Sequence, residues 1–190
     1  MVQSARHPPD AIVGTADKFV RPSEADIYTV TGKWLVSIFP FTVNVIQGQQ
    51  NRVPLPPDPC LIMTIIDRTR LATNSSSYTE STRTVTEPTQ ITMQVQTFGR
   101  GSGNLIQSVK QLWRDENAVD FFKQSGFPLA PLYTSGIRQL GFINGERQYE
   151  DQWSIDLLLE ANITITLPQQ TANKLTIGTI SVDAEYPPEE

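Results

Sequence analysis

Side chains that do chemistry are scarce in this chain. Its one histidine, His7, stands in the run His7-Pro8-Pro9-Asp10, ahead of any periodic segment. Its one cysteine, Cys60, is followed by Leu61 and Ile62 and reads as a buried small hydrophobe. Such a pair supplies no Ser-His-Asp or Cys-His site, no internal disulfide and no thiolate cluster. Glu146, Glu150 and Asp151 have no acid/base companion and read as solvated charge. Gly99-Arg100-Gly101-Ser102-Gly103 has the glycines of a phosphate loop, but no Gly-Lys-Ser/Thr follows, so a turn between strand and helix is expected. Arg68, Arg70, Arg83 and Arg100 could meet phosphates; against the acidic balance of the chain they read as protein contacts. The sequons Asn74-Ser75-Ser76 and Asn162-Ile163-Thr164 read as chance matches. No cofactor and no metal are expected, and an enzyme is the last reading to consider.

The 190 residues suit one domain with long loops or tails. Charged residues make up only 18%, and 56 positions are Thr, Ser, Gln or Asn. Net charge is −5. Without a basic run, tight nucleic-acid binding is not expected. No apolar run approaches the length of a transmembrane helix, so no membrane partner is expected. The start, MVQSARHPPD, lacks the apolar stretch of a signal peptide.

The elements follow from periodicity. Residues 1–22 read as a flexible arm. Ser23 and Asp26 form a capping box for a helix over 24–38, with Ile27, Val30, Trp34, Leu35 and Ile38 on one face and Pro40 as its stop. Phe41, Val43 and Val45 alternate as a strand, and Gly48 to Pro57 read as a loop. Cys60–Ile66 reads as a strand buried on both faces. Residues 68–90 read as two polar strands joined by a flexible tip at Asn74–Ser77, and Ile91, Met93 and Val95 as a further strand. Ser102 is expected to cap a helix bearing Leu105, Ile106, Val109, Leu112 and Trp113, and Asn117 a short one bearing Val119, Phe121 and Phe122, closed by Gly126. Residues 127–133 are extended and 135–143 suit a strand. Asn144-Gly145 signals a type I′ turn. From Gln152 to Leu167 apolar and polar residues alternate without a break save Leu158, the pattern of one long antiparallel strand, with a partner expected over Leu175–Ala184. Trp34, Trp113 and Trp153 fall on apolar faces and read as core. The fold class is α+β: a largely antiparallel β-sheet with one N-terminal helix and two central helices packed on it, a single domain over 23–186, and an acidic tail at 187–190.

Three segments together resemble a known family. Gln49-Gln50-Asn51-Arg52-Val53-Pro54-Leu55-Pro56 runs into the Cys60 strand. Met93–Phe98 runs into the helix from Leu105 to Trp113. Pro128-Leu129-Ala130-Pro131-Leu132-Tyr133 precedes Ile143-Asn144-Gly145-Glu146-Arg147-Gln148-Tyr149-Glu150-Asp151-Gln152-Trp153. The chain is similar over about 24–186 to the tail terminators of tailed phages. The resemblance implies a structural protein of the virion tail or neck, assembled in the host cytoplasm. It implies a homohexameric ring on the last ring of tail tube protein that ends tail polymerisation. The partners implied are the tube, possibly a sheath, and the head-tail connector or collar, with genome DNA only passing through the lumen. A Thr- and Gln-rich chain without basic runs suits a pore through which DNA slides. Gln50, Asn51, Arg52, Pro54, Pro56, Gly145, Glu146, Tyr149 and Trp153 are the motif residues expected in structural or interface roles. Pro54 and Pro56 hold the first motif extended.

Ring closure needs one surface patch to meet a different patch on the neighbour. The polar segment with Arg68, Arg70, Asn74, Tyr78 and Arg83 is a natural assembly hairpin. Few apolar residues hold it, and a lone two-stranded hairpin is marginal in water, so it is expected to be mobile in a free subunit and ordered by partners. Two other readings stay open: another neck component or the tail tube protein, and, more distantly, a small-ligand-binding module.

Overall fold

A computed structural model describes residues 19–50, 54, 56, 57, 59–143, 149–170 and 178. A short strand, β1 (Val20–Arg21), opens the described chain. The capping box then starts α1 (Glu24–Ser37) as the sequence predicts. The Asp26 N–H donates to Ser23 Oγ at 3.2 Å, and the Ser23 N–H donates to the Asp26 carboxylate at 2.9 Å. Burial pushes the Asp26 carboxyl up. The hydrogen bonds from the Ser23 backbone and hydroxyl, with the Arg21 charge, outweigh it and leave the pKa below its ordinary value.

Strand β2 (Asn44–Gln47) starts later than the alternation suggests, because Phe41 is half exposed and stacks on Phe39 instead. In β3 (Cys60–Arg70) the expectation of burial on both faces fails from Ile62 on: Ile62 and Ile65 are half-buried and Ile66 is exposed. The register slips between Ile65 and Asp67, so Ile66 bulges out of the ladder and the strand runs on into polar sequence. Next come β4 (Ser75–Tyr78) and β5 (Thr82–Phe98). The tip expected at Asn74–Ser77 lies later: the Thr79 N–H donates to the Thr82 carbonyl at 2.8 Å, and Ser75–Ser77 are strand.

Both central helices use other caps than expected. Helix α2 (Ser102–Trp113) is capped by Gly101 in the left-handed region, and the Ser102 hydroxyl donates to the Asp151 carbonyl at 3.3 Å. Helix α3 (Glu116–Gln124) is capped by Asp115, whose carboxylate accepts the Asn117 N–H at 3.0 Å. The Asn117 side chain accepts the Trp34 indole N–H at 3.2 Å instead. Strands β6 (Leu129–Thr134), β7 (Arg138–Ile143) and β8 (Tyr149–Pro168) complete the described chain.

The sheet is built on one ribbon. Strands β5 and β8 pair antiparallel from Thr82↔Pro168 to Phe98↔Gln152, seventeen residues on β5, a length of about 55 Å. Shorter strands line each outer edge of this ribbon. β3 and β4 follow each other along β5, and β2 adds to β3 in parallel. β7, β6 and β1 follow each other along β8. The partner expected for β8 over 175–184 lies outside the described residues apart from Gly178, and so do residues 1–18 of the expected arm. Val20 and Arg21, expected to belong to that arm, pair with Ile165 and Thr164 and belong to the sheet.

The core lies on one face of the ribbon. Ile91, Met93 and Val95 sit opposite Leu159, Leu157 and Ile155, and all six are fully buried. Against them pack Ile27, Trp34 and Leu35 of α1, Ile106, Val109 and Trp113 of α2, and Phe122 of α3. Burying such a side chain stabilises by roughly 1.5–3 kcal/mol. Trp113 sits edge-on to both Trp34 and Phe122, and its indole N–H donates to the Leu158 carbonyl at 3.2 Å. The other face presents half-buried Thr92, Gln94 and Gln96 beside Asp156 and Glu160. The architecture is α+β, as the sequence indicates.

Candidate assembly surfaces

The first motif begins where β2 ends. The Gly48 N–H donates to the Met63 carbonyl at 2.7 Å, and the chain crosses β3 so closely that no side chain fits. Gln49 follows in the left-handed region with φ 59°. The segment is tied down again before β3: Asn44 donates from its backbone to the Pro59 carbonyl at 3.0 Å and from its side chain to the Pro57 carbonyl at 2.9 Å. The segment is therefore a strap held at both ends. Gln50 and Pro54 are exposed and Pro56 is half-buried. Asn51 and Arg52 lie outside the described residues. The strap borders the polar face, where Gln96 donates to Gln94 at 3.0 Å, Gln94 reaches Asp156 at 3.4 Å, and Arg138 pairs with Asp156. The sequence reading did not single out Gly48 or Arg138. A glycine directly after an alternating run was the available signal for the first. Arg138 has none, since its partner lies on another strand.

In the Ile143–Trp153 motif, Tyr149 and Trp153 part company. Tyr149 is 83% exposed. Trp153 is half-buried beneath the first turn of α2, where a Cβ on Gly103 would lie 3.2 Å from the indole. Ser102 and Gly99 both bond the Asp151 carbonyl, so the glycine-rich turn locks α2 to the start of β8. That is the turn the sequence predicts. Gly145 and Glu146 lie outside the described residues.

The third surface is an arm. Beyond Thr89 the ribbon continues past the core, carrying β4 on one edge and β1 on the other. It is not the two-stranded hairpin expected, because β5 is paired on both sides from Arg83 to Thr86. Its arginines do not form one cluster. Arg68 is anchored to Glu24 of α1 at 2.6 Å, and Arg70 lies 3.9 Å from Glu87. Arg83, at the tip, donates to Ser76 at 3.1 Å and lies over the Tyr78 ring at 5.8 Å. Asn74 is exposed, and Tyr78 is 60% exposed.

A fourth surface gathers residues of the Pro128–Tyr133 motif. An open cleft of about 700 Å³ lies between α3 and β6, lined by Val119, Lys123, Phe127, Pro128, Glu160 and Asn162. Among the described residues no group of His, Cys, Asp and Glu could hold a metal ion, and no helix is long and apolar enough to cross a membrane.

Fold and surfaces define an α+β protein whose distinctive features are straps, arms and clefts on an extended sheet. The chain belongs to the phage neck terminator protein family, whose pattern matches residues 25–187. That is a structural family of the phage neck and tail. None of the curated proteins is a match. Among solved structures, the sheath/tube terminator of an extracellular contractile injection system (PVC), in its extended state, is similar with a TM-score of 0.44 and 11% identity. The similarity covers 87% of this chain and 65% of that chain.

Proposed function

We propose that the protein is a tail terminator that forms a homohexameric ring on the last ring of tail tube subunits. It ends tube growth, meets the sheath where there is one, and offers its head-side surface to the connector or collar. Genome DNA passes through its lumen. It does this without catalysis and without a cofactor.

The observation that carries this reading is the family match over 25–187. The charge of the sheet adds to it. On the polar face Thr92, Gln94 and Gln96 lie beside Asp156 and Glu160, and the cation next to them, Arg138, is already paired with Asp156. Such a face offers little to neutralise phosphates, as a passage for DNA requires. The motif residues Gln50, Asn51, Arg52, Pro54, Pro56, Gly145, Glu146, Tyr149 and Trp153 are assigned structural or interface roles, Trp153 as the support beneath α2 and exposed Tyr149 as a contact.

Deleting the gene in the phage that carries it tests the reading, together with native mass spectrometry of the purified chain. Tails of uncontrolled length beside unjoined heads, and a six-membered ring, are the expected results. Normal joined tails would overturn it. A twelve-membered ring would move the protein to the connector.

A further inference from the structure

The arm tip and the α3–β6 cleft have complementary features and cannot meet within one chain. The tip presents Tyr78, 60% exposed, with Glu80 and Arg83 following it across the turn into β5. The cleft presents Val119, 49% exposed, with Phe127 and Pro128, and carries Lys123 and Glu160 among its lining residues. Each surface therefore joins an apolar centre to one cation and one anion. Within a single molecule they lie on opposite edges of the sheet. Strand β4 borders β5, and β6 borders β8, which puts three strand spacings, about 14 Å, between them. Along the ribbon, Tyr78 is level with Leu167 through Arg83, and the cleft is level with Glu160 and Asn162. That adds about 17–24 Å.

We propose that the arm tip of one copy docks in the α3–β6 cleft of a second copy, seating Tyr78 against Val119 and Phe127, with Glu80 meeting Lys123 and Arg83 meeting Glu160. Tip and cleft on opposite edges of one sheet give a head-to-tail contact, in which every copy donates a tip and accepts one. Contacts of this kind generate closed rings when the rotation allows. Arg83 over the Tyr78 ring holds the aromatic in place before docking, which lowers the ordering cost of association. The proposal rests on the ring reading above and names the contact that closes it.

The test is self-association of the full chain, measured by light scattering after size exclusion across a concentration series. Tyr78→Ala should weaken assembly roughly thirty-fold, as loss of a central aromatic anchor does. Glu80→Lys and Lys123→Glu should each weaken it about five-fold or more, and the double variant should recover most of the loss. Tyr78 and Lys123 are exposed in the monomer, so the thermal unfolding of Tyr78→Ala and Lys123→Glu should stay near that of the parent chain. A parent chain that forms rings while Tyr78→Ala forms them equally well, or a double variant no better than its parents, overturns this contact and leaves the ring standing. A parent chain that stays monomeric at all concentrations overturns both.

Discussion

A Cβ placed on Gly48 would lie 2.2 Å from Thr64 Oγ1, with Ile62 Cγ2 at 3.1 Å and the Met63 carbonyl oxygen at 3.3 Å. The strap can leave β2 along this path only because residue 48 has no side chain. Gly48→Ala should cost about 1–3 kcal/mol, the usual range for overpacking. Thr64→Ala removes the nearest atom, so the double variant should regain part of the loss. Chemical denaturation of the three variants checks this, and strict additivity would contradict it.

The α1 cap makes stability acid-sensitive. Ser23→Ala should cost about 1 kcal/mol through loss of the cap. The Asp26 carboxyl is held below its ordinary pKa in the folded chain. Its contribution is therefore present above the unfolded value, about 3.9, and is lost as pH falls through the folded value. The melting temperature should fall more steeply with acidification below about pH 4 in the parent chain than in Asp26→Asn. Equal slopes would show that the carboxylate does not carry the effect.

Trp113 joins all three helices to the ribbon through Trp34, Phe122 and the Leu158 carbonyl. Trp113→Ala should cost roughly 3–5 kcal/mol. Trp113→Phe keeps most of the volume and should cost less, though it leaves the Leu158 carbonyl without its indole donor. Urea midpoints of the two variants give the order.

The arm can be removed where β3 meets β5, since the Leu71 N–H donates to the Pro88 carbonyl at 2.9 Å. Replacing residues 72–88 with Asn-Gly-Thr supplies the N–H that Pro88 lacks and closes these strands as a tight hairpin. The shortened chain should keep its far-ultraviolet spectrum and cooperative melting, because the buried residues of β5 begin at Thr89. It should fail to assemble. In the free full-length chain, hydrogen exchange should show amides of 83–86 protected by their two neighbouring strands and those of 72–74 exchanging fast. Uniformly fast exchange over 71–90 would restore the lone hairpin expected from composition.

That hairpin shows where the sequence stops being legible. The alternation over 152–167 reveals a strand because one face is buried and the other is not. The helices are legible from Ile27 to Leu35 and from Leu105 to Trp113 for the same reason. Residues 82–88, polar apart from Val85 and Pro88, which fall on opposite faces, show no contrast between faces, although they pair with β8 as fully as Ile91 does. The caps differ from those expected at Ser102 and Asn117 because competing caps stand just ahead, Gly101 one residue earlier and Asp115 two residues earlier. Of the surfaces, the strap and Trp153 lay within the motifs. The cleft did not declare itself, since Val119 and Glu160 come together only through the fold.

The ribbon that carries the arm also crosses the core without a break, so the tip is not on a hinge. Tension applied along the strands between Thr82 and Gln152, at opposite ends of the ladder, would load it in shear, with many hydrogen bonds resisting together instead of opening one by one. The body and the arm would then move as one lever. A pull on any subunit's tip would be felt at Phe98 and Gln152, where the ribbon meets the glycine-rich turn and the root of α2. A ring linked in this way would share mechanical stress around its circumference.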